Sequence, residues 1–170
     1  MSTPESAPDS DMICPWSTLA PDGTGLSVHD FITTRLSALM TSLRRQVTLP
    51  YAAEFGLSIT EWRVLSLIAH AGTLPFSDLV VQSTSDKALV SRTTRKLEER
   101  GLITINPESK ASKKKLACSI TPAGQAIYDD AIVFARKRQA EILCSLSQTE
   151  REALFSTIAK LQGVLAGEED

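Results

Sequence analysis

The sequence predicts a mainly α-helical chain with one small β-hairpin, and three observations lead there. Apolar residues recur at steps of three and four, Ser-x-x-Glu and Thr-Pro signals mark helix starts, and only two short β-favouring runs interrupt the pattern. A length of 170 residues, 42% hydrophobic and 22% charged, is ordinary for one globular unit and sets aside disordered and fibrous classes. No run approaches the roughly 18 apolar residues of a membrane span, and MSTPESAPDSDM lacks the basic and apolar regions of a signal peptide. A cytoplasmic protein with no membrane partner is therefore expected. Three scattered cysteines, Cys14, Cys118 and Cys144, with two histidines, offer neither a disulfide framework nor metal-ligand spacing, so no metal and no cofactor are expected. Gly-x-Ser-x-Gly, phosphate-loop and dinucleotide patterns are also lacking, which argues against an enzyme.

Residues 1 to 26 hold four prolines, several serines and no sustained period, and they read as an acidic flexible tail. Val28, Ile32, Leu36, Leu39, Leu43 and Val47 then form one face of a long helix, which Pro50 should kink or end. Helix is expected again over Tyr51 to Phe55, with Gly56 as its stop. Ser58-Ile59-Thr60-Glu61 is a capping box opening a helix to Ala71, closed by Gly72. A short helix over Phe76 to Gln82, a polar turn and a helix from Asp86 to Arg100 follow, the last with Val90, Thr94 and Leu97 inward. Leu102 to Ile105 and Leu116 to Ile120 predict strands around a long basic tip. Thr121-Pro122 opens a long helix to about Ser145. A second box, Ser147 to Glu150, opens the last helix, striped by Leu154, Ile158, Leu161 and Leu165.

Charge is unevenly placed. The whole chain carries a net −2, yet positions 86 to 115 hold nine Lys or Arg against four Asp or Glu, a local +5. A basic face inside an acidic chain is the electrostatic footprint of a polyanion binder. Helix, turn, helix and basic hairpin is the order of a winged helix-turn-helix, whose second helix enters the major groove. Opposite the inward stripe of that helix lie Lys87, Ala88, Ser91, Arg92 and Arg95, small or basic residues able to approach base edges and phosphates. Lys110, Lys113, Lys114 and Lys115 belong to the hairpin tip.

Four blocks carry a family resemblance: Gly56 to Leu65, Ser85 to Arg92, Leu97 to Ile103, and Ile120-Thr121-Pro122-Ala123-Gly124. In order and nearly ungapped, they resemble the MarR family of bacterial transcriptional regulators. The resemblance implies a homodimer with intertwined first and last helices, a winged DNA-reading lobe on each subunit, and a small-molecule pocket between the two regions. It divides the chain into a tail over 1–26, an N-terminal dimerisation helix over 27–55, a winged helix-turn-helix DNA-binding region over 56–121 and C-terminal dimerisation helices over 122–170. It also implies repression of a nearby operon, relieved when a ligand, often an aromatic acid, weakens DNA binding. Arg92 and Lys96 match positions that the family uses against DNA. Where the family wing usually carries Asp-x-Arg, this chain has Ser112 and Lys114. Lysine lacks arginine's planar fork, so the wing is expected to add affinity more than specificity.

The expected DNA-contacting set is thus Lys87, Ala88, Ser91, Arg92, Arg95, Lys96, Lys113, Lys114 and Lys115, on double-stranded DNA bearing an inverted repeat. Asp86 is expected to cap its helix, because carboxylates repel phosphate and suit helix N-termini. For a small aromatic acid the candidates are Trp62, whose ring could pack on the ligand, and Arg63, whose guanidinium could pair with the carboxylate, with His29 and Thr33 helping. Two alternatives stay open: a thiol-based redox regulator acting through Cys14, and an architectural DNA binder without a ligand.

Overall fold

Side-chain caps set where most of the helices begin. Ser58 accepts the Glu61 amide at 3.2 Å while the Glu61 carboxylate accepts the Ser58 amide at 2.8 Å, the reciprocal box the sequence predicts. Ser147 and Glu150 repeat it. Asp86 accepts the Leu89 amide at 2.8 Å and Thr121 the Gly124 amide at 3.0 Å. The computed structural model describes residues 14–107 and 115–167. Its elements are α1 (Ile32–Leu43), α2 (Leu49–Glu54), α3 (Ile59–Ala71), β1 (Thr73–Pro75), α4 (Phe76–Ser83), α5 (Lys87–Glu99), β2 (Ile103–Pro107), β3 (Leu116–Ile120), α6 (Pro122–Cys144) and α7 (Gln148–Ala166). None is long and apolar enough to cross a membrane.

The chain divides into two units after Leu43. In the first, residues 14 to 30 are hydrogen-bonded turns. The Trp16 indole donates to the Asp30 carbonyl at 2.8 Å, and the Asp30 carboxylate takes the Ser27 hydroxyl at 2.6 Å and the Arg35 guanidinium at 2.9 Å. Those two donors hold the Asp30 carboxyl below its ordinary range. Residues 1–13 of the expected tail lie outside the described residues. Along α1 no residue is buried; Ile32, Leu36, Leu39 and Met40 are exposed apolar side chains.

The second unit opens on a π turn, Arg44–Thr48, rather than on the break expected at Pro50. Pro50 sits in the first turn of α2, where a missing amide hydrogen costs no bond. Proline therefore starts a helical segment here. Gly56, at φ +65°, closes it.

Three antiparallel strands form one sheet in the order β1-β3-β2, pairing Thr73 with Ser119 and Ile103 with Ile120. The sequence predicts only β2 and β3. β1 is three residues ending in proline, an edge strand whose only partner lies more than forty residues away. Beside this sheet α3, α4 and α5 pack on one another. Leu65, Ile68, Leu79, Val90, Leu97 and Ile103 are fully buried and form the centre of the lobe.

Candidate nucleic-acid interface

On α5 the apolar and polar faces separate as the sequence predicts. Val90, Thr94 and Leu97 are buried, and so is Thr93. Both threonines can enter the core because their hydroxyls are satisfied within the helix: Thr93 donates to the Leu89 carbonyl at 2.8 Å and Thr94 to the Ser91 carbonyl at 3.1 Å. On the other face Lys87, Ala88, Arg92, Arg95 and Lys96 are exposed and Ser91 is half-buried. Spaced one, three and four apart, they form one helical surface. Among the described residues none of these four cations pairs with a carboxylate within 4 Å, the ion pairs being Arg35–Asp30, Arg100–Glu61 and Arg138–Glu141. Cations without internal partners are available to phosphate.

Four contacts fix the end of this helix and the chain that follows it. Arg100, just past its end, reaches Glu61 of α3 at 3.5 Å. Burial alone would push the Glu61 carboxyl up, but the Ser58 hydroxyl and amide, with the charges of Arg100 and Lys96, outweigh it and hold the group below its usual value. Glu98 accepts the Ile105 amide at 2.9 Å, tying α5 to β2. At the far side of the wing, Gly124 of α6 lies so close to the Leu102 carbonyl that an added Cβ would sit 2.0 Å from its oxygen. Thr121 donates to the Gly101 carbonyl at 2.7 Å beside it. Glu98 and Gly124 were not among the expected site residues; the Thr-Pro-x-Gly pattern marks Gly124 as a helix start but says nothing of the carbonyl it must clear.

Lys115 is exposed where β3 begins. Lys110, Ser112, Lys113 and Lys114 lie outside the described residues. The acid-binding candidates are placed separately. Trp62 is 7% exposed, stacked on Tyr128 at 6.0 Å and met edge-on by Tyr51 at 5.5 Å. Its ring is therefore largely engaged within the core. Arg63, the next residue, is half-exposed and lines a cleft with Arg44, Thr60 and Ser85 that does not include Trp62. His29, in a single 3-10 turn, and Thr33, on α1, are exposed in the first unit. Cys14 and Cys144 are exposed, whereas Cys118 is buried and its thiol is pushed up to about 11, first by burial and then by the Glu98 charge.

Comparison with known proteins bears on this lobe. Residues 57–110 match the MarR family. The HTH-type transcriptional regulator FarR of Neisseria gonorrhoeae is 26% identical over 93 residues, 55% of this chain and 60% of its own length. A solved MarR/EmrR family transcriptional regulator from Acinetobacter sp. ADP1 is 29% identical, with a TM-score of 0.74 over 83% of this chain and 99% of that one. Bordetella bronchiseptica BpsR, described as regulated in DNA binding by 6-hydroxynicotinic acid, shares the fold at 19% identity, with a TM-score of 0.71 over 85% of this chain and 99% of its own. A helix-turn-helix with its basic helix facing solvent, a three-stranded wing sheet and these likenesses together identify residues 57–110 as a MarR family domain in a chain of winged-helix fold.

Proposed function

We propose that the chain is a homodimeric repressor that reads an inverted-repeat operator and releases it when a small aromatic acid binds. One observation carries the reading: α5 turns Lys87, Ala88, Ser91, Arg92 and Arg95 outward on a helix whose other face is locked into the core. Small residues allow close approach to base edges, and Arg92 has the fork that can span guanine O6 and N7. Lys96 and Lys115, with Lys113 and Lys114, supply phosphate attraction.

The exposed apolar side chains of α1 and α7 support the dimer. Phe155 is 78% and Leu165 85% exposed, beside Leu154 and Ile158, and stripes of this kind call for a partner surface. Two-fold symmetry then places two α5 helices about one helical turn, roughly 10 base pairs, apart on DNA. Arg63 is the strongest of the four acid candidates, being half-exposed beside a cleft. BpsR, of the same fold, is the precedent for an aromatic acid.

Selection of bound sequences from a random DNA pool tests the operator claim. Enrichment of a palindrome with half-sites about ten base pairs apart is expected, while recovery of unrelated sequences at equal affinity would support an architectural binder instead. Titrating the selected DNA complex with aromatic acids then tests release.

A further inference from the structure

The residue that closes α4 has a backbone conformation that its side chain does not favour. Thr84 has φ +50° and ψ 36°, and it is the one residue other than glycine with positive φ among the described residues. A β-branched residue crowds its own backbone in the left-handed region, so it stays there only where its surroundings hold it. Elsewhere the chain meets this need with glycine: Gly56, Gly72, Gly101 and Gly167 stand just beyond α2, α3, α5 and α7, all at positive φ. The end of α4 is the exception, and it is the end that leads into the DNA-reading helix.

Neighbours on both sides hold the turn in place. Ser83 is buried and donates its hydroxyl to the Val80 carbonyl at 3.1 Å. The Thr84 amide reaches the Val81 carbonyl at 3.2 Å, and the Ser85 hydroxyl donates to the Ser83 carbonyl at 3.2 Å. Asp86 then accepts the Leu89 amide and starts α5. Leu79 before the turn and Val90 after it are fully buried, which anchors both helices in the core. Thr84 itself is exposed, so packing of its side chain does not offset the strain.

We propose that Thr84 is the positioning residue of the DNA-reading helix: its branched side chain confines the α4–α5 turn to one narrow left-handed geometry, and that single exit direction for α5 is what base discrimination requires. The proposal rests on the reading of α5 as the helix that reads operator sequence. Glycine in the same place would relieve the strain, but it ranges widely over positive φ, whereas threonine held there is left one small basin. A swing at the turn displaces side chains along α5, and the paired hydrogen bonds that identify a base tolerate little misalignment. Attraction to phosphate is independent of sequence and falls off gently with distance. Loosening the turn therefore reduces discrimination between sequences more than it reduces affinity for DNA in general.

The test measures Tm at one chain concentration, and Kd for the selected operator and for a scrambled duplex of the same length and composition, with the full chain as wild type, Thr84→Gly, Thr84→Asn and Thr84→Val. Thr84→Gly is expected to raise Tm by about 2–4 °C through relief of strain. It is also expected to lower the ratio of scrambled to operator Kd at least fivefold, with the scrambled Kd itself moving less than twofold. Asparagine tolerates the left-handed region yet keeps a Cβ, so Thr84→Asn is expected to gain stability and hold the ratio within twofold of wild type. Thr84→Val keeps the branch without the hydroxyl and is expected to match wild type on both duplexes. If Thr84→Gly gains stability with its ratio unchanged, the strain serves no reading of sequence and the proposal is overturned. If Thr84→Gly melts below wild type, the turn is not strained and the proposal falls. If Thr84→Val weakens both duplexes alike, the hydroxyl holds a DNA phosphate and the positioning role is wrong. If the wild type itself prefers neither duplex, the reading of α5 and this proposal fall together.

Discussion

Gly124 is the residue whose identity the fold constrains most tightly. A methyl group placed 2.0 Å from the Leu102 oxygen and 2.8 Å from the Ile120 side chain cannot be accommodated unless α6 moves off the wing base. Gly124→Ala is expected to destabilise by about 1–3 kcal/mol or more, despite alanine's better helix propensity, read by urea unfolding. An exposed helical glycine would respond in the opposite direction. Cys118 allows a second check. With its thiol at about 11, roughly one part in a thousand is thiolate at pH 8, and the group is buried as well. Native protein treated with iodoacetamide is expected to be alkylated at Cys14 and Cys144 and spared at Cys118, as read by peptide mass spectrometry.

At the scale of elements, the joint between α3 and α5 depends on Glu61. Its carboxyl caps α3 and pairs with Arg100, with a side chain 13% exposed, and its folded-state pKa lies below the unfolded value. The stabilisation is therefore fully present above the ordinary carboxylate range, near 4.3, and is lost as pH falls through the lower folded value. Thermal melts of Glu61→Gln and wild type are expected to differ by about 0.5–2 kcal/mol at pH 7 and to converge near pH 3. A difference that grows on acidification would contradict the assignment. These caps are short-range chemistry, which is why both boxes, the Asp86 cap and the Thr121-Pro122 start are legible in the sequence. β1 is not legible, since Thr73-Leu74-Pro75 becomes a strand only by lying against Ser119 to Ala117. Nor is the role of Pro50, because a π turn before it turns a breaker into a helix start. Thr93 reads as polar surface by residue type, and only its bond to the Leu89 carbonyl explains its burial. Trp62 reads equally as core or ligand platform until Tyr51 and Tyr128 are seen against it. In each case the missing information is a partner distant in sequence or a bond within the turn.

At the scale of the molecule, two surfaces remain to be matched, one apolar and one basic. Burying a leucine stabilises by roughly 1.5–3 kcal/mol, so the α7 stripe alone gives strong drive to associate. Light scattering at micromolar concentration is expected to give twice the 18.4 kDa chain mass, and the double variant Ile158→Asp/Leu165→Asp to shift it toward the monomer. A folded wild-type monomer would remove the symmetric operator from the account. The basic surface carries the central claim, that α5 reads sequence while the wing lysines hold the backbone. It is tested most directly by measuring Kd for the selected operator and for single-base variants of it, over a range of salt, with wild type, Arg92→Ala and Lys115→Ala. Arg92→Ala is predicted to cost about 1–3 kcal/mol on the operator and to lose discrimination at one position per half-site. Lys115→Ala is predicted to weaken every sequence alike and to reduce the salt slope by about one. The account is contradicted if Lys115→Ala changes base preference while Arg92→Ala leaves it intact.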